Sequence, residues 1–164
     1  MQIETTLKLK SFTIFKMKVD FIPPSENKIR IIRVIRGKPA GMAWTKDAKD
    51  FKKKFKNYVH ENKAVPAALF SSAHLDGDIY DLYVEIGMPL LNKTYGKKNG
   101  SKTRYKKNDI ANRRKLVEDA LSEVLSIDDS LFFGVTMVKV HSEETYLRVS
   151  LAQVDPSAYG VDGE

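Results

Sequence analysis

Apolar residues in this chain recur either at every second position or at helical spacing, and the switches between the two patterns delimit its elements. Residues 1–22 read as strand-like: Phe12 to Phe21 alternates in part, and Pro23-Pro24 ends the run. Ile29, Ile31, Ile32, Val34 and Ile35, interleaved with Lys28, Arg30, Arg33 and Arg36, predict a half-buried strand, followed by a turn at Gly37–Gly41. Thr45 is placed to cap a helix from Lys46 to about Asn62, with Ala48, Phe51, Phe55 and Val59 on its buried side and Lys52–Lys54 on its solvated side. Trp44, just before that cap, is expected to staple the helix entrance, with stacking on a base as the alternative. Val65-Pro66 closes the helical region. A short extended segment at Leu69–Ser72 and a turn at Asp76–Asp78 follow.

The second half carries the clearer signals. Ile79 to Met88 alternates as a core strand, and Leu90 to Lys107 predicts a long, mobile loop that orders on a partner. Asp109 then offers an N-cap for a helix whose Ile110, Leu116, Val117, Ala120, Leu121 and Val124 share one apolar face. Asn112, Lys115 and Asp119 run beside that face at i, i+3 and i+7. Ser126 to Asp129 break the helix, and Leu131–His141 reads as a buried strand. Tyr146–Val154 is a further alternating strand. The expected fold class is α+β: a mostly antiparallel or mixed sheet with two main helices packed on it. Residues 1–154 are expected to form a single domain, and 155–164 a loose acidic tail.

Composition narrows the function. A chain of 164 residues with 42% hydrophobic content is large enough to bury a core. It has no cysteine, which excludes disulfides and thiolate-held zinc or iron–sulfur centres. No apolar run approaches the roughly 20 residues needed to span a membrane, and the N-terminus does not read as a signal peptide. The expected location is therefore cytoplasmic. The formal net charge of +7 points to a polyanionic partner. His60, His74 and His141 lack metal-ligand spacing, and neither a phosphate-binding glycine loop nor a nucleophile elbow is present.

The charge is concentrated. Ten basic residues lie between Lys93 and Lys115, and Asp109 is the only acid among them. Lysines and arginines in such a run contact phosphates, while Tyr95 and Tyr105 can stack on exposed bases. A carboxylate at a helix start, with two more at Asp128 and Asp129 by the next strand, could converge on a hard divalent cation of the kind that activates water against a phosphodiester. The simpler alternatives are an N-cap at Asp109 and an ordinary Asp-Asp-Ser turn. Glu85 is either a fourth carboxylate at that site or, more simply, a solvent-face residue. For the Arg/Ile run at 28–36, the half-buried strand is preferred over a DNA-reading role.

Asp109-x-x-Asn112-x-x-Lys115, Glu118-Asp119-Ala120-Leu121 and Asp128-Asp129-Ser130 together resemble the signature of the RusA family of Holliday-junction resolvases. Pro23-Pro24-Ser25-Glu26-Asn27 and Glu85-x-x-Met88-Pro89 resemble two further motifs of that family, in its order, over roughly residues 10 to 152. The chain departs from the family's Asp-x-Asp-Asn at one point, where Ala111 replaces the second Asp. The resemblance implies a homodimeric endodeoxyribonuclease that uses Mg²⁺, with Mn²⁺ possible, to cut four-way and other branched DNA in recombination, repair or phage replication. Its setting would be a bacterial or phage-infected cell. It implies Asp109 and Asp129 as metal ligands with Asp128 adjacent, and Lys115 as the essential lysine. The burden of the missing ligand would pass to Asp128, Asp119 or water. Lys97, Lys98, Lys102, Arg104, Lys106, Lys107, Asn112, Arg113, Arg114 and Lys139 are the expected DNA-binding residues. The alternatives are a non-catalytic binder of branched or single-stranded DNA with a degenerate metal site, and an RNA-binding module.

Overall fold

A computed structural model describes residues 11–25, 30–62, 78–106 and 110–161. In chain order the elements are β1 (Ser11–Val19), β2 (Arg30–Ile35), β3 (Lys38–Trp44), α1 (Lys46–Glu61), β4 (Ile79–Met88), α2 (Ala111–Leu125), β5 (Phe132–His141) and β6 (Tyr146–Val154). Four strands form one mixed sheet in the order β1-β6-β4-β5. Strand β6 pairs antiparallel with both β1 and β4, and β5 lies parallel to β4. A parallel neighbour needs a crossover, and the connection through α2 supplies it. The arrangement is the expected α+β class.

Period-two alternation decides which residues face the helices. Met17, Val149 and Val84 are register neighbours on the inner face, and all are buried. Leu82, Ile86, Leu147 and Leu151 extend that face into one core with Phe51, Phe55 and Val59 of α1 and Leu116, Val117, Leu121 and Leu125 of α2. Helix α1 buries the four residues its spacing predicts, and the Thr45 hydroxyl accepts from the Ala48 N–H at 3.2 Å, as an N-cap should. Of the expected apolar face of α2, Leu116, Val117, Ala120, Leu121 and Val124 are buried. The start of α2 differs from expectation: Ile110 occupies the cap position with no side-chain cap bond, and Asp109 lies outside the described residues.

The expected half-buried strand at 28–36 is corrected. Among the described residues, strands β2 and β3 pair only with each other, as a separate two-stranded sheet. Ile31, Ile32, Val34 and Ile35 are all exposed, and among the described residues only the Trp44 end of the hairpin packs against the core. Over residues 90–106 the expected long loop carries hydrogen-bonded structure of its own. Its ends pair as a Leu91–Tyr105 bridge, and the Asn92 N–H donates to the Arg104 carbonyl at 2.9 Å. Asn92 Nδ2 reaches the Thr103 carbonyl at 2.7 Å, and the Thr94 hydroxyl accepts from the Ser101 N–H at 3.1 Å. Gly100 is required at this closure, since a Cβ there would lie 1.8 Å from the Thr94 carbonyl oxygen. Polar side chains bonding to the backbone hold the loop without an apolar core.

In the segment expected as a loose tail, Pro156–Tyr159 forms a 3-10 turn capped by Asp155. The Tyr159 ring packs edge-on against Phe133, and its hydroxyl donates to Asp81. The extended segment and turn expected at 69–78 lie outside the described residues except for Asp78. Among the described residues, no helix is long and apolar enough to cross a membrane.

Candidate active site

Helix α2 and the turn after it bring charged residues together because the chain reverses sharply between them. Ser126, at the C-cap, adopts a left-handed conformation with φ 56°. Ile127 buries behind it, and Asp128 caps a 3-10 turn at Asp129–Leu131 by accepting the Ser130 N–H at 2.8 Å. This turn carries Asp129 back alongside the helix, where its Oδ2 pairs with Lys115 Nζ. Asp119, one turn along α2, pairs with the same ammonium at 3.2 Å. Lys115 therefore lies between two carboxylates, and its pKa is raised, first by the Asp129 bond and then by Asp119. The Ser130 bonds hold the Asp128 carboxyl below its usual range.

The predicted i, i+3, i+7 stripe is thus realised for Lys115 and Asp119, while the Asn112 side chain lies outside the described set. Asp109 and Lys107 lie outside it too. Among the described residues, no three acidic or histidine side chains gather into a cluster able to hold a metal ion.

The basic residues divide into two groups. Lys97, Lys98, Lys102, Arg104 and Lys106 are exposed on the closed loop, with Tyr95 and Tyr105 exposed among them, and Lys139 is exposed on β5. The Arg104 guanidinium lies 5.8 Å from the Tyr105 ring centroid. Arg114 is half-exposed and engaged with buried Glu118 at 2.7 Å. Arg113, expected on the open basic surface, is buried, and among the described residues its Nε and Nη1 have no hydrogen-bond partner. Burial lowers its pKa.

Glu85 is also corrected, from solvent-face residue to the buried centre of a partly exposed network on the outer sheet face. Tyr146 Oη donates to it at 2.7 Å, Arg148 Nη1 at 2.9 Å and Tyr83 Oη at 3.0 Å. Those bonds, led by Tyr146, hold its pKa below the ordinary 4.5. With both oxygens occupied, Glu85 ties β4 to β6. The register explains the network: Arg148 is directly opposite Glu85, and Tyr146 is opposite Gly87, whose missing side chain leaves room for the ring. The sequence held the signal in Gly87, two residues beyond Glu85, but the partner strand could be identified only from the pairing.

Residues 15–152 match the model of a protein family described as Endodeoxyribonuclease RusA. By family, then, the protein is a DNA-cutting hydrolase. The chain belongs to the RusA family, the Holliday-junction-resolving endonucleases, whose members are generally metal-dependent and whose substrate is branched DNA. No curated protein matches the chain.

Proposed function

We propose that this protein is a Mg²⁺-dependent endonuclease, able to use Mn²⁺, that acts as a homodimer on four-way and related DNA branches in recombination, repair or phage replication. Its expected setting is the cytoplasm of a bacterial or phage-infected cell. The observation that carries the reading is the pairing of Lys115 with Asp129 beside Asp128, at the turn between α2 and β5. Asp128 is exposed and Asp129 partly so, and together they offer adjacent hard oxygen donors. That donor set fits a divalent cation with retained waters. In this reading Asp109 completes the ligands with Asp128 and Asp129. A bound cation supplies Lewis-acid polarisation of the phosphodiester and activation of water.

The chain's own groups do the rest. Lys115 stays protonated at neutral pH because its two carboxylate partners favour the charged form. It serves as the fixed positive charge for the scissile phosphate or the departing oxygen. Lys97, Lys98, Lys102, Arg104, Lys106 and Lys107, with Asn112, Arg114 and Lys139, hold the arms through their phosphates, giving affinity without sequence reading. Tyr95 and Tyr105 are available to stack where strands part.

The test is incubation with a synthetic four-way junction, with and without Mg²⁺. Metal-dependent cutting that disappears in Asp109→Asn and in Asp129→Asn supports the reading. Ala111 in place of the family's second Asp favours a second reading, a branched-DNA binder with a degenerate metal site. Tight binding without cutting in either Mg²⁺ or Mn²⁺ would establish that one, and a preference for RNA would overturn both.

A further inference from the structure

The β2–β3 hairpin is the one element of the described structure that stands apart from the four-stranded sheet. Ile32 and Met42 are directly opposed across it, and each is 66% exposed. Ile31, Val34 and Ile35 are exposed as well, although a two-stranded ribbon gains little stability by itself. Clustered exposed apolar groups of this kind mark a surface that meets a partner.

Charge identifies the partner. From Lys28 to Lys46 the sequence holds six cations and no carboxylate. A second copy of the hairpin would set cation against cation, whereas a polyanion complements it. At the tip, Arg36 and Gly37 take φ values of 51° and 75°, the tight hairpin turn usually built from Asn-Gly. A cation thus occupies a position where a small residue is the ordinary choice. At the base, Arg30 stacks on Trp44 at 4.6 Å. A cavity of about 300 Å³ beside Trp44 is lined by Lys49, Lys52, Lys53 and Lys56 of α1, so the basic surface continues off the hairpin. Glu123 of α2 closes that cavity, eight residues from Lys115. That is about 12 Å of helix axis, or three to four base-pair steps.

Two-stranded ribbons fit DNA grooves, and apolar side chains carried among cations can wedge between bases and unstack them. Opening costs least where the helical stack is already interrupted, as between the arms at a branch point. We propose that the β2–β3 hairpin is a DNA-inserting wedge: the opposed Ile32 and Met42 enter the centre of the branch, while Arg30, Arg36 and Lys38 hold the flanking phosphates. This inference rests on branched DNA being the substrate and assigns a substrate-opening role to a different part of the chain from the acidic turn.

The experiment uses the full chain and a four-way junction carrying 2-aminopurine at the crossover, in EDTA so that no strand is cut. The wild-type protein should raise the fluorescence several-fold on binding. Ile32→Ser/Met42→Ser should abolish the rise while changing junction affinity less than about threefold. Its Tm should be unchanged, since neither residue belongs to the core. Arg36→Ala/Lys38→Ala should weaken binding about tenfold at 0.1 M salt but keep the rise at saturation. Wild-type binding without a rise, or a rise that persists in Ile32→Ser/Met42→Ser, overturns the wedge and leaves the substrate reading standing. Failure of the wild type to bind any branched DNA overturns both. Conversion of a dimer to monomers by Ile32→Ser/Met42→Ser, seen by sedimentation, would assign the surface to a second copy and overturn the wedge.

Discussion

Lys115 on α2 and Asp129 on the following turn form an ion pair across 14 sequence positions, with Asp119 on the other side of the ammonium. The pair places a carboxylate expected to bind a cation directly against a fixed positive charge. In the proposed mechanism the two have separate duties, and replacing either should separate binding from cutting. Lys115→Met is expected to lower the cleavage rate by about 10²-fold or more, the usual loss for one charge-stabilising group. Junction affinity should change less than about threefold. Single-turnover cleavage and electrophoretic mobility shift, measured on the same junction, check both.

Ala111 is exposed at the first residue of α2, so an added carboxylate there meets no steric barrier from the core. Ala111→Asp restores the pattern the family carries. It should tighten divalent-cation affinity about tenfold by calorimetry and raise cutting at limiting Mg²⁺. An unchanged affinity would show that the cation does not bind near this position.

Arg113 has a buried guanidinium, and two of its nitrogens find no acceptor among the described residues. Removing an unpaired buried charge and keeping its bulk is commonly neutral or stabilising. Arg113→Met should therefore hold or raise Tm, by about 2–4 °C for each kcal/mol gained in a chain of this size. A large fall in Tm would show that the charge is satisfied in the folded protein. Calorimetric melting decides between these outcomes.

Glu85 provides a pH test. Its pKa is lowered in the folded state, so as the pH falls past the ordinary 4.5 the unfolded chain takes up a proton before the native one. The stability Glu85 contributes is present above that value and is lost as the pH drops through the lowered native value. Urea midpoints from pH 7 to pH 3 should therefore fall more for wild type than for Glu85→Gln. The same network makes Gly87→Ala costly, because a Cβ would lie 2.0 Å from the Tyr146 ring. Moving that ring breaks its bond to Glu85, and the expected loss is about 1–3 kcal/mol, as for other overpacked sites.

Local pattern was enough wherever one face of an element is buried against a single layer. Helix α1 with its Thr45 cap, the buried stripe of α2, and β6 to the residue all follow from periodicity, because burial on one side imposes a period on the sequence. The order of motifs likewise pointed to the family. What periodicity cannot carry is the identity of the facing layer. The Arg/Ile alternation of β2 resembles a half-buried strand, yet its apolar side chains are exposed, and only the sheet topology separates it from the core. The loop after Leu90 looks structureless because its bonds run from side chain to backbone, which leaves no apolar signature. Glu85 found Tyr146 and Arg148, 61 and 63 positions away, through strand register. Composition and spacing thus determined which residues could form elements and hold charge. Which of those charges meet, as Lys115 and Asp129 do, and which apolar groups stay in water, was decided by tertiary pairing, because contact between distant positions depends on how layers stack.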